Sequence, residues 1–255
     1  MGLEKLYDPV AEFYDIEHDK MDCDISFYVE EAGKAGGKVL ELGAGTGRVT
    51  QALAKAGIEV TAVEISKGML DIARKNSKSL PSEKKELITW VQGDMRDFSF
   101  DTKFSHVLIP FRSFQHLQTR DEQQSCLDCV SRHLEKGGSL VLSLFAPSYE
   151  RLAHKTMFNH LGTIELPDGK TLSRTERVTH DHVNQIVTVQ WTYDVSDFNG
   201  DIKRKIWTFP MRYLWRFETE LLLENAGLEV EIIYGDYRRG EFNHDGEMLF
   251  VARKH

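Results

Sequence analysis

The hydrophobic positions of this chain change their period along its length, and each change marks a different kind of element. Near the N-terminus they recur at three- and four-residue spacing, as at Val10, Phe13 and Tyr14 and again at Phe27, Tyr28 and Ala32. That spacing predicts two amphipathic helices, the second stopped by Gly36 and Gly37. From residue 38 to residue 147 short apolar runs alternate with helical patterns. KVLEL, IEVTAVE, ELITWVQGD (ending at Asp94), FSHVLIPF and SLVLSLFAP read as buried strands. VTQALAKAG, SKGMLDIARKNSKSL and TRDEQQSCLDCVSRHL read as helices, with Ser66 as an N-cap. Strands alternating with helices predict a mainly parallel sheet with right-handed crossovers.

After Pro147 the rhythm changes again. SYERLAHKTMFN reads as a short helix, and TLSRTERVTH, QIVTVQWTYDVS and RKIWTFPMRYL follow with period-2 alternation. The turn sequences LPDGK, HDHVN and DFNGD separate them, which predicts an antiparallel meander of three or four strands inserted in the α/β core. WRFETELLLENAG returns to a helical pattern, and EVEIIYGDY and EMLFVARK read as a closing pair of strands with an antiparallel edge. The expected organisation is N-terminal helices at 1–36, an α/β core at 37–147, the β insertion at 148–215 and the end of the core at 216–255.

Composition narrows the function classes. The chain has 255 residues, 41% hydrophobic and 28% charged, with a net charge of −8, so it supports a sizeable core and an acidic surface. An acidic surface repels phosphate backbones and makes nucleic acid an unpromising partner, although Lys203, Arg204 and Lys205 form a small basic run. Three cysteines cannot complete a disulfide framework; Cys126 and Cys129 form a C-x-x-C within a helical pattern, where buried free thiols are expected. No apolar run approaches the ~18 residues of a spanning helix, and the charged N-terminus gives no secretory pattern, so the cytoplasm is expected.

The chemistry concentrates at the ends of the first strands. In VLELGAGTGRVT, Gly43, Gly45 and Gly47 follow the first strand directly and open a helix. Glycine permits a tight turn and lets main chain approach a ligand, and the helix start favours a ligand anion such as a carboxylate. The spacing is G-x-G-x-G rather than the G-x-G-x-x-G of dinucleotide sites, and Glu41 just before it disfavours a pyrophosphate and suits a ligand amine. Glu64, ending the second strand, is placed to accept both hydroxyls of a ribose. Asp94 is placed to accept from an adenine amine, with Met69 and Met95 against the ring faces. Three acidic residues at three strand ends describe a ligand with an amine, a ribose and an adenine, and no phosphate.

These segments resemble the class I S-adenosylmethionine-dependent methyltransferases. ELGAGTGR is similar to the first motif of that family, AVEIS to the second and QGDMRDF to the third, over about residues 37–147. The resemblance implies a doubly wound seven-stranded sheet ending in an antiparallel hairpin, and S-adenosylmethionine as the cofactor. In that family the glycine loop lies against the methionine part of the cofactor and the second-strand acid holds the ribose, roles that carry over to Gly43, Gly45, Gly47, Glu64 and Asp94; Glu41, Ala44, Ile65, Met69, Met95 and Phe111 are further expected cofactor contacts. Relatives close N-terminal helices over the cofactor, so Tyr14 becomes a contact to its methionine end.

The catalytic side falls in IPFRSFQHL. An Asn-Pro-Pro-Tyr-type motif and a Pro-Cys nucleophile are both absent there, which argues against nucleobase methylation. His116 is the candidate general base, since imidazole titrates near neutrality; the alternative is a histidine packed at a helix start. Arg112 either meets an anionic substrate or pairs with an acidic neighbour. Phe114, Tyr213 and Trp215 are candidate substrate contacts, the last two alternatively core of the inserted sheet. His180 and His182, in H-D-H at a turn, share a strand face but lack further ligands at metal spacing, so no metal is expected. The expected activity is methyl transfer to an N or O atom of a small molecule, by a monomer or homodimer with no membrane partner. The alternatives are an RNA or protein methyltransferase, a nicotinamide-dependent oxidoreductase and a non-catalytic adenosyl-ligand binding protein.

Overall fold

The structure, a computed structural model, describes residues 6–7, 23–166, 168–243 and 246–255. The helix expected around residues 8–20, and Tyr14 with it, lie outside the described residues. The chain divides into two compact units, Met1–Ala146 with Leu214–His255, and Pro147–Tyr213.

The first unit is built on a seven-stranded sheet. Helix α1 (Ile25–Ala35) leads into β1 (Val39–Leu42), α2 (Arg48–Lys55), β2 (Val60–Glu64), α3 (Lys67–Asn76) and β3 (Ile88–Gln92). Then come β4 (Phe104–Ile109), α4 (Arg120–His133) and β5 (Leu134–Phe145). Sheet neighbours run β3, β2, β1, β4, β5, so the order reverses between β1 and β4. That reversal opens a crevice at the carboxyl ends of these strands. Beyond β5 lie the chain's last two strands, Glu247–Lys254 and then Leu228–Tyr234, the first antiparallel to both neighbours.

Why these residues make this sheet is plain from β1: all four residues of VLEL are buried, as a strand covered on both faces requires. One face packs Leu40, Leu42, Val107 and Leu142 against Leu127 and Val130 of α4. The other packs Val39, Val60, Leu108 and Val141 against Phe27 and Tyr28 of α1 and Leu53 of α2. Helix α3 starts on Ser66, whose hydroxyl accepts from the Met69 amide at 3.1 Å. Thr119 and Glu122 cap α4 reciprocally in a capping box. Cys126 and Cys129 are buried free thiols inside this helix.

The second unit is a four-stranded antiparallel sheet of β6 (Thr156–Glu165), β7 (Thr171–Asp181), β8 (Ile186–Ser196) and β9 (Ile202–Arg212) in sequential order. Its first strand departs from expectation. SYERLAHKTMFN keeps one helical turn, Tyr149–Leu152, and from Thr156 onward it pairs with β7. Local helical spacing lost there to a ladder of cross-strand hydrogen bonds. Trp191 on β8 opposes Trp207 on β9 with ring centroids 5.3 Å apart, the type of cross-strand aromatic pair that fixes register. The His180 ring stacks on His182, and its Nδ1–H donates to the His154 carbonyl at 2.7 Å.

After β9, helix α5 (Arg216–Asn225) and the strands β10 (Leu228–Tyr234) and β11 (Glu247–Lys254) complete the first unit. No helix among the described residues is long and apolar enough to cross a membrane.

Candidate active site

The crevice begins with the turn after β1. Gly43 has φ +76°, and a Cβ there would lie 2.7 Å from the Ser113 side chain. Gly47 has φ +82°, and a Cβ there would lie 2.5 Å from the Trp90 ring. Neither position accepts a side chain, which is why the sequence spends glycines on them. The turn is pinned to β2: the amides of Gly43 and Ala44 both donate to the Val63 carbonyl, at 2.9 and 3.1 Å.

Glu64, at the end of β2, closes the next side. Its Oε2 accepts from the Gly45 amide and its Oε1 from the Ser66 amide, each at 2.8 Å. The carboxylate therefore bridges the glycine turn to the start of α3 while still lining the crevice. Asp94 also lines it, but stands two residues beyond β3, which ends at Gln92 rather than at Asp94. Its oxygens accept from the Arg96 side chain and amide, and Arg96 continues to Glu122 of the α4 capping box. Burial pushes the Asp94 carboxyl up, and the Arg96 hydrogen bonds outweigh that and hold it below the usual range.

A further part of the wall comes from the loop after β4, which abuts the glycine turn at Ser113. Phe111 and Arg112 both have positive φ, +49° and +67°, and the loop delivers Phe111, Ser113, His116 and Leu117 to the crevice. Tyr7 reaches the same place, its hydroxyl 2.6 Å from His116 Nε2.

Of the residues singled out from sequence, Gly43, Gly45, Glu64, Ile65, Met69, Asp94, Met95, Phe111 and His116 line this one cleft. Others do not. Glu41 is buried beneath the glycine turn, where Thr50 donates to it at 2.5 Å. Burial raises its carboxyl to about 8, partly offset by the Thr50 bond. The strand pleat turned it away from the ligand side. Ala44 is buried, and Gly47 serves the start of α2 rather than the cleft wall. Phe114 is fully buried in the hydrophobic core, so it offers no surface to a substrate. Arg112 pairs with Glu247 and lies over the Phe111 and Phe145 rings, the neighbour-holding alternative rather than the substrate one. Tyr213 is buried with its amide on the Gln185 carbonyl, the inserted-sheet alternative, and Trp215 precedes α5 outside the cleft lining.

Sequence reasoning missed Leu6, Tyr7 and Ser113 in the cleft, and the pair behind it: fully buried Asp24 accepts from both Nη atoms of Arg48 at 2.7 and 2.6 Å. Arg48 in turn sits 5.5 Å over the Phe111 ring. None of these partners shares a local pattern, so spacing alone could not reveal them.

The donor set discriminates between ligands. Among the described residues no lysine or arginine lines the cleft, while two carboxylates, bare main chain, thioether and aromatic surface do. A diphosphate would face uncompensated like charge there, whereas a cationic adenosyl compound fits the acids and the cradle left by Gly43 and Gly45.

Known proteins share this architecture. A methyltransferase domain family matches residues 39–138. The chain is 29% identical over 222 residues to the cypemycin N-terminal methyltransferase of a Streptomyces species, covering 86% of this chain and 84% of that protein. It is 25% identical over 239 residues to the dTDP-3-amino-3,6-dideoxy-α-D-glucopyranose N,N-dimethyltransferase of Streptomyces fradiae, covering 89% and 86%. The solved structure of the CcbJ methyltransferase from Streptomyces caelestis superposes with a TM-score of 0.83 at 29% identity, over 100% of this chain and 99% of that one. With a methyltransferase domain over its first strands, an acid-lined cleft at their ends that no described lysine or arginine enters, and relatives named as methyltransferases along most of its length, this chain is a methyltransferase enzyme similar to those that use S-adenosylmethionine.

Proposed function

We propose that the chain methylates an amine nitrogen of a small hydrophilic acceptor, an amino sugar or the amino end of a short peptide. Two of the relatives above are named for transfer to such nitrogens, which supports the amine over a hydroxyl. The observation that carries the proposal is the meeting of two arms in one cleft. Glu64 and the glycine turn form one arm, and His116 with Tyr7 the other.

Each residue has a physical task. Glu64 spends two acceptor sites on main-chain amides and keeps the others for ribose hydroxyls. Asp94 is placed for the adenine amine, but Arg96 fills most of its acceptor capacity, so Glu64 is the stronger grip. Met69, Ile65 and Phe111 offer apolar contact to the adenosyl group, and Met95 packs beside Gly43. When bound, S-adenosylmethionine supplies a methyl already activated on a sulfonium. The protein then has mainly to align the acceptor, and positioning of that kind is worth up to ~7–11 kcal/mol. His116 would hold the proton that the acceptor amine sheds once its nitrogen carries the methyl and S-adenosylhomocysteine is the leaving group, a contribution of roughly 10²–10⁴-fold. Tyr7 orients the imidazole through Nε2.

Calorimetry with S-adenosylhomocysteine tests the ligand arm: Glu64→Ala is expected to weaken binding by about 1–3 kcal/mol, the loss of hydrogen bonds to a charged acceptor. A turnover screen across amines, amino sugars, short peptides and phenols tests the acceptor arm. Turnover of amines is expected; turnover confined to phenols would replace the nitrogen reading with an oxygen one.

A further inference from the structure

The loop that carries the catalytic side is held in a conformation its own residues disfavour. Phe111 and Arg112 are consecutive non-glycine residues with φ of +49° and +67°. Left-handed backbone at side-chain-bearing residues persists only where surrounding structure over-determines it. The residues doing so are identifiable. The Phe111 amide donates to the Tyr28 hydroxyl at 3.2 Å, and the Arg112 amide donates to the Ser143 carbonyl at 3.2 Å. The Tyr28 hydroxyl donates onward to Tyr237 at 3.3 Å, and Tyr237 meets the Ser143 hydroxyl at 2.9 Å. At the far end of the loop, Gln115 accepts from the Phe145 amide at 2.9 Å. A chain of three hydroxyls from α1, the β10–β11 connection and β5 thus converges on the backbone that aims Phe111, Ser113 and His116 into the cleft.

Tyr28 itself is fully buried and does not line the cleft, so it touches no ligand. Its ring is already accounted for by edge contacts with Phe27 and Tyr237. Its hydroxyl is what those ring contacts leave unexplained. A buried amide with no acceptor is costly, so without that oxygen the Phe111 peptide would gain by rotating out of its left-handed state.

We propose that Tyr28 is a positioning residue of the methyl-transfer reaction: its hydroxyl, relayed through Tyr237 and Ser143, fixes the 111–116 backbone in the conformation that presents His116. This rests on reading the cleft as the transfer site. The cofactor grip assigned above rests mainly on Glu64 and the glycine turn, with Phe111 and Ser113 as this loop's share, so the loss falls on turnover more than on cofactor affinity.

The test compares wild type with Tyr28→Phe, which keeps the ring, and with Ser143→Ala, which cuts the far end of the relay. Amide hydrogen exchange of the full chain, with and without S-adenosylhomocysteine, is followed over residues 110–117. Tyr28→Phe is expected to speed exchange in that segment at least about tenfold, with segments of β1 and β2 unchanged. Ser143→Ala is expected to produce a smaller increase confined to the same residues. Once an acceptor is in hand, kcat should fall about tenfold in Tyr28→Phe while KM for S-adenosylmethionine moves less than about threefold. Unchanged exchange at 110–117, or an increase spread evenly over the sheet together with a lowered Tm, would overturn the proposal. Failure of wild type to bind S-adenosylhomocysteine would instead strike the functional reading, and the exchange contrast would still decide whether Tyr28 sets the loop.

Discussion

Two turns flank the crevice, one after β1 and one after β4, and they solve the same geometric problem by opposite means. Each needs left-handed backbone close to the ligand. The first uses glycine, with φ of +76°, +57° and +82° at Gly43, Gly45 and Gly47. The second uses Phe111 and Arg112 and holds them with Tyr28, Ser143 and Glu247. Glycine makes the first turn locally cheap and leaves main chain bare for a ligand. Side chains at the second put an aromatic face and a guanidinium where they are needed, at a strain of about 1–3 kcal/mol per residue that distant groups offset. A turn that only has to approach a ligand can be written in its own sequence, whereas a turn that must also present side chains borrows its geometry from the rest of the fold.

The comparison can be broken at several points. The largest effect is expected beneath the first turn, at Glu41. Its carboxyl is held near 8 by burial, against an ordinary value of 4.5. Between those values the folded chain keeps a proton that the unfolded chain has released, so stability falls as pH rises from about 5 to about 8. Glu41→Gln should flatten that slope, a difference of several kcal/mol at the alkaline end by linkage. Denaturant midpoints for both proteins at pH 5, 6, 7 and 8 measure it. Parallel curves would mean that Glu41 is ionised in the folded chain.

A smaller effect is expected from making the first turn resemble the second. Gly43→Ala places a Cβ against Ser113 at a φ that alanine resists, and should cost about 2–4 kcal/mol. The same substitution should weaken S-adenosylhomocysteine binding, because Ser113 lines the cleft. A variant as stable as wild type would show that the turn has slack the geometry does not suggest. The smallest effect makes the second turn resemble the first. Arg112→Ala and Arg112→Gly both lose the Glu247 pair, but only glycine tolerates φ +67° freely. Arg112→Gly should therefore be the more stable of the two by about 1 kcal/mol in urea denaturation. Equal stabilities would mean that the loop relaxes out of its left-handed conformation once the guanidinium is gone.

The same contrast explains which parts of the site were legible in the chain. Gly43, Glu64 and Asp94 stood out because backbone freedom and a charge at a strand end are local properties. Asp94 was placed at the right wall even though β3 stops two residues earlier. Glu41 misled, since its distance from the glycines is sequential and its direction is set by the strand pleat toward Thr50. Phe114 misled for a related reason: it sits in a single short turn, Ser113–His116, too brief to show which side chains face inward, while for Arg112 the acidic-neighbour alternative held. The helical reading of SYERLAHKTMFN fails only from Thr156 onward, where pairing with β7 overrides local spacing.

Sequence by itself determined the alternation of strand and helix, the phosphate-free character of the cofactor and the two acids that line the cleft. All of these follow from periodicity, glycine and charge within short windows. Tertiary structure alone decided the His116 side of the cleft. Tyr7 lies 109 residues from the histidine it contacts, and Tyr28 lies 209 residues from the tyrosine that completes its relay. Partners that far apart in the chain carry no common pattern, and what joins them is the packing of elements, which no window of sequence contains.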